Sequence, residues 1–123
     1  MNQLNSIILE GTLINDPDVV AKRTATGEKL VKFTLANDRY YEEDGKTKME
    51  TTFMVVRCWG ELGERVLSAI KKGYEVRVCG RLAMERWTTT NGEKRWATEI
   101  ECSHIEYRLA QSEKSDFLGE NDG

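Results

Sequence analysis

One histidine, one proline and three cysteines are all that 123 residues contain of these types, and no apolar run approaches membrane-spanning length. Each scarcity removes a class of function. Cys58, Cys79 and Cys102 are odd in number and far apart, which is neither a disulfide framework nor a metal-ligand spacing. They read as small hydrophobic residues in a reducing compartment. His104 stands alone within a strand pattern and is read as structural. No zinc-protease helix, phosphate-binding glycine loop, nucleophile elbow or paired-cysteine site occurs, and no residue is placed to activate a nucleophile. The expectation is a binder, not an enzyme, with no metal and no cofactor. Residues 1–6 have no basic-then-apolar signal segment, so the expected location is cytoplasmic.

Positive charge is also short: 18 Lys and Arg face 21 Asp and Glu, a net charge of −3. That deficit lies wholly in residues 109–123, where Glu113, Asp116, Glu120 and Asp122 outnumber Lys114. The remaining body, residues 1–108, is neutral and can still hold a polyanion if its cations cluster on one face. After Arg108 the sequence is polar, acidic and aperiodic, and is expected to be a short disordered tail on a single domain.

The stretch Thr52–Trp59 dominates what is present. It reads as a strand of β-branched and aromatic residues ended by Gly60. Alternation sends Met54, Val56 and Cys58 to one face, compact enough for a core, and Phe53, Val55, Arg57 and Trp59 to the other. Phe53 and Trp59 are then about 20 Å apart, at about 3.3 Å per residue, with a cation between them. Aromatic and cationic groups on one strand face are what a single-stranded nucleic acid binds. The alternative is a strand buried on both sides, with Arg57 paired to a carboxylate.

Around it the pattern gives strands over 6–14, with Gly11 at a bend, and over 30–36, with Val31, Phe33 and Leu35 inward. Residues 22–28 read as a loop with Lys22 and Arg23 solvated. Asp44-Gly45 marks a hairpin turn. A helix is predicted over 61–72, with Leu62, Val66, Leu67 and Ile70 on one face and Gly73 as its stop. Strands over 74–84 (Val76, Val78 and Leu82 inward) and 94–107 (Trp96, Thr98, Ile100 and Cys102 on one face) flank an Asn91-Gly92 hairpin. An all-β chain of five strands, with one α-helix between strands 3 and 4 and projecting β-hairpins, has the order of the five-stranded OB-fold Greek-key barrel. Phe33, Tyr74 and Trp96 are assigned to packing. Trp87, beside Arg86 on a projecting arm, has no core to enter and is a candidate ligand contact; Arg77 and Arg81 could supply backbone contacts.

Taken together, Ile8-Leu9-Glu10-Gly11-Thr12-Leu13 with Asp16-Pro17, Phe33-Thr34-Leu35-Ala36, Phe53 with Trp59-Gly60, Lys72-Gly73, Val78-Cys79-Gly80-Arg81-Leu82 and Arg86-Trp87-Thr88 with Asn91-Gly92 and Arg95 carry a resemblance. Over residues 5–108 the chain resembles the bacterial single-stranded DNA-binding protein family. The resemblance implies an OB-fold that assembles into a homotetramer and wraps single-stranded DNA with little sequence preference, during replication, recombination and repair. It implies base stacking on Tyr41, Phe53, Trp59 and Trp87 and backbone contacts from Lys71, Lys72, Arg86 and Arg95; strand phase adds Arg57. Three positions depart from the family pattern: Glu61 and Glu85 replace common basic residues, and Met54 replaces a histidine found in some members at the subunit interface. The family's Asp-rich tail ending in Ile-Pro-Phe, which recruits replication and repair proteins, is absent from Ser115–Gly123. A rival reading is an OB-fold protein-interaction module such as a primosomal accessory subunit, favoured by the neutral body and by Glu61 and Glu85.

Overall fold

The computed structural model describes residues 1–108, and the expected acidic tail lies outside the described residues. In chain order the elements are β1 (Ile7–Leu13), β2 (Asp18–Lys22), β3 (Lys29–Glu43), β4 (Lys46–Trp59), α1 (Gly60–Ala69), β5 (Glu75–Thr88) and β6 (Lys94–Arg108). The sheet order is β1-β5-β6-β4-β3-β2, and a second pairing of β1 with β3 closes five of the strands into a barrel. The pairs are antiparallel except β4 with β6, which run parallel through Val56–Ile100 and Arg57–Glu101. This is the expected OB-fold barrel, with β2 added along the edge of β3.

Closure depends on β1 serving two partners. It runs beside β5 from Ile7 to Thr12 and touches β3 only at Thr12–Ala36 and Leu13–Leu35. Gly11 lies at the crossing, where a β-carbon would stand 2.6 Å from the Ala36 carbonyl oxygen. The bend read from sequence is therefore a close approach of two backbones. Leu13, Val31, Phe33, Leu35, Val56, Cys58, Val78 and Ile100 fill the interior, and α1 covers it with Val66. The inward residues of β4 are those its alternation assigned, and Phe33 and Tyr74 are core residues as expected.

The structure differs from the sequence reading at four places. Residues 18–22 form β2, an edge strand unannounced by pattern because all its side chains are exposed and none alternates inward. The helix ends at Ala69, three residues before its expected last residue, Lys72. Ile70 is already extended and buried, the Asp16 carboxylate accepts the Lys72 N–H at 2.9 Å, and the Leu13 carbonyl accepts the Gly73 N–H at 2.9 Å. These tertiary partners take the chain before the local signal is reached. Leu82 and Trp96 have the inward phase predicted for them, yet both are exposed, Trp96 to 65%. The β5–β6 ladder continues through Leu82–Ile100, Met84–Thr98 and Arg86–Trp96 to Thr88–Lys94, past the end of the barrel, where no core remains to receive them.

Candidate nucleic-acid interface

Two long hairpins project from the barrel. β3 and β4 pair without interruption from Leu30–Trp59 to Glu43–Lys46, around a turn in which Asp44 and Gly45 both have positive φ. β5 and β6 pair out to Thr88–Lys94, closed by the Gly92 N–H donating to the Thr89 carbonyl at 2.9 Å.

Register determines which side chains share a face. Phe53, Val55, Arg57 and Trp59 stand on the outer face of β4. Arg57 is opposite Glu101, Glu101 is opposite Arg81, and Ala83, Glu85 and Trp87 follow Arg81 at intervals of two. Trp87 and its partner Arg95 therefore belong to the same face as Phe53 and Trp59. Phe53 is 60% exposed opposite the small Ala36, and Trp87 is 49% exposed. Trp59 is half-buried, with the Arg23 guanidinium 4.2 Å from its ring centroid. Arg23 was expected to be merely solvated. It backs the tryptophan instead, held by Glu28 at 3.5 Å, so one ring face is already occupied by a cation.

Arg57 sits inside a cluster of carboxylates. Its side chain is 16% exposed and lies between Glu101 at 3.5 Å and Glu99 at 4.0 Å. Lys32 bridges Glu99, at 3.0 Å, and Glu85, and Arg81 pairs with Glu101. The carboxylate alternative holds for Arg57, although the strand face around it is open. Burial raises the Glu99 carboxyl above the usual range, and the neighbouring Glu85 carboxyl pushes the same way. The hydrogen bond from Lys32 lowers Glu85. Burial depresses the Lys32 ammonium, but the hydrogen bonds to Glu85 and Glu99 outweigh it and leave its pKa raised. Glu85, where a base was the family pattern, thus neutralises a lysine inside the face.

This network gives a pH-dependent expectation. Glu85 has a folded pKa below its ordinary 4.5, so its contribution to stability is present above 4.5 and is lost as pH falls through the folded value. Glu99 has the opposite sign, since its ionisation above the ordinary value is resisted in the fold. Glu85→Gln is expected to lower the urea midpoint at neutral pH, with the difference from the parent closing in acid well below 4.5. An acid-insensitive difference would show that the Glu85–Lys32 pair is not its source.

The other expected site residues are spread wider. Tyr41 is half-buried opposite Lys48, with the Arg39 guanidinium 5.1 Å from its ring centroid, one residue out of phase with the outer face. Tyr40 and Met49, paired with each other and both more than half exposed, are the ones in phase with Phe53. Lys71 and Lys72 are exposed in the turn after α1. Arg95 is bonded to Glu93 at 2.5 Å, and Arg86 pairs with Trp96 on the reverse face of its arm. The sequence reading placed Tyr40 beside Tyr41 at the base of a hairpin without giving it a contact role, and did not connect Arg23 with Trp59. Counting back from the Asp44-Gly45 turn would have found Tyr40, whereas nothing local marks Arg23.

The arrangement is a wall of partly exposed rings with an internally neutralised centre. Unpaired bases can lie on such rings, and a duplex cannot offer them. Comparison with known proteins gives the family. The model of the single-strand binding protein family matches residues 4–108. The chain is 33% identical over 108 residues to the single-stranded DNA-binding protein of Thermotoga maritima, covering 87% of this chain and 75% of that one. It is 31% identical to single-stranded DNA-binding protein 1 of Clostridium acetobutylicum, covering 89% and 98%. It spans only 64% of the length of single-stranded DNA-binding protein 1 of Chlorobaculum tepidum, at 34% identity over 84% of this chain. In fold it is similar to the Plasmodium falciparum SSB in complex with ssDNA, with a TM-score of 0.77, 24% identity and coverage of 89% and 98%. The chain belongs to the single-strand binding protein family.

Proposed function

We propose that this protein binds single-stranded DNA without sequence preference and covers strands exposed during replication, recombination and repair. The observation that carries the reading is the placement of Phe53, Trp59 and Trp87 on one face, each at least partly open to solvent. Every base has a π face, so stacking tolerates any sequence, at about 1–3 kcal/mol per base. Lys71, Lys72, Arg86 and Arg95 supply phosphate contacts at the margins, and Tyr41 a further ring on the β3–β4 arm. Arg57, ordered at the centre of the face by Glu99 and Glu101, is the cation between the rings. The protein acts by binding alone. Self-association into a homotetramer fits the exposed Leu4, just before β1, and Ile8 on it. Among the described residues no helix is long and apolar enough to cross a membrane, and the cytoplasm is the proposed place of action.

Titration of tryptophan emission with oligo-thymidine, against a matched duplex and at two salt concentrations, tests this. Expected are quenching by the single strand alone and a log-log salt slope of about −0.7 per phosphate contacted. The interaction-module reading draws on the Lys32, Arg57 and Arg81 charges already being matched by carboxylates. It requires weak binding with little quenching, and that result would favour it.

A further inference from the structure

The reverse face of the β5–β6 arm carries a second group of side chains, of which only Arg86 has a part in the site above. Met84, Arg86 and Thr88 of β5 stand opposite Thr98, Trp96 and Lys94 of β6. All of these but Thr98, together with Trp87 and Arg95 at its edge, line an open cleft of about 550 Å³, within the range of about 300–1,000 Å³ usual for small-ligand sites. Trp96 is 65% exposed and Met84 50%. An indole and a thioether facing water beside each other mark a contact surface. These residues continue the inward phase of Ile100 and Cys102, so the core pattern of the barrel is extended along an arm with no core to bury it.

Charge selects the occupant. Among the described residues neither Arg86 nor Lys94 has a carboxylate partner; the Arg86 Nε reaches only the Met84 Sδ, at 3.5 Å. Arg95 at the margin is matched by Glu93. A second copy meeting this face about a two-fold axis would bring Arg86 and Lys94 against their own kind, which is repulsive. A polyanion with flat apolar bases satisfies both the unmatched cations and the open indole.

We propose that Trp96, with Met84, Arg86 and Lys94 lining the same cleft, is a second single-stranded nucleic-acid site on the reverse face of the arm. It takes one stacked base with its flanking phosphates. Trp87–Arg95 and Arg86–Trp96 are successive rungs, so the arm offers a ring on each face and a bound strand can turn around its edge. This rests on the proposed single-strand binding, and the experiment separates the two.

The chain has three tryptophans, so Trp59→Phe with Trp87→Phe leaves Trp96 as the only one. Its emission is followed during titration with a long oligo-thymidine, while anisotropy of a labelled copy of the oligonucleotide reports saturation. Saturation with quenching of Trp96 is expected. In the parent, Trp96→Ala is expected to weaken binding about 5- to 150-fold, and Trp96→Phe to restore most of the loss. Saturation with unchanged Trp96 emission overturns the second site and leaves the outer face standing. No binding of the labelled strand by the parent protein overturns both. Unchanged affinity in Trp96→Ala together with a smaller assembly by sedimentation also overturns the proposal and makes this face a contact between copies.

Discussion

The double substitution Phe53→Ala with Trp87→Ala is expected to weaken oligo-thymidine binding by about 2–6 kcal/mol, at least about 30-fold, with the fold intact. The two rings sit on different hairpins, Phe53 on β4 and Trp87 on β5, with no partner shared between them in the ladder. Their contributions should then add. Neither ring is part of the core. Phe53 faces the small Ala36 and is 60% exposed, and Trp87 stands opposite an arginine at the far end of an arm. Removing exposed side chains typically changes stability by no more than about 0.5 kcal/mol. The urea midpoint should accordingly stay put while affinity falls. Affinity unchanged in the double variant would mean that bases rest elsewhere, and a parallel loss of stability would mean that the rings hold the arms in place.

Gly80→Ala is expected to destabilise the protein by about 3 kcal/mol, a large part of the 5–15 kcal/mol that holds a domain of this size folded. A β-carbon at Gly80 would lie 2.0 Å from the Glu101 carbonyl oxygen and 3.1 Å from the Cys102 α-carbon. Both are backbone atoms of a paired strand, with no flexible side chain to swing aside. The position is also where β6 carries an extra residue: Cys79 pairs with His104 and Gly80 with Cys102, leaving Ser103 to donate from its hydroxyl to the Cys79 carbonyl at 3.1 Å. The irregularity sets the angle at which the β5–β6 arm leaves the barrel. Relief of the clash must part β5 from β6 at the root of the arm, so a fall in urea midpoint should be accompanied by weaker DNA binding. An unaltered midpoint would contradict the tight strand crossing described here.

Much of this was legible because local pattern and tertiary outcome agree in the barrel. Val31, Phe33 and Leu35 alternate and are buried; Val56 and Cys58 do the same on β4. Phe53 and Trp87 could be assigned to the outside because one is out of phase with the core and the other is beyond it. What sequence could not give is how far a pattern outruns the barrel. Trp96 has the phase of Ile100 and lies only four rungs further along, yet one is open and the other sealed. Phase is a local property, while the position of the barrel's end depends on all five strands. Arg57 and Glu99 could not be paired in advance, since their strands are joined through a parallel pairing across more than 40 residues. The stacking of Arg23 on Trp59 likewise required β2, a strand with no inward side chain to announce it.

A crystal structure of the protein with bound oligo-thymidine tests the central claim most directly. Thymine rings are expected in van der Waals contact, about 3.5–4.0 Å between carbon atoms, with Phe53 and Trp87 and with the face of Trp59 opposite Arg23. A strand held by its phosphates, with all three rings left in water, would contradict the account.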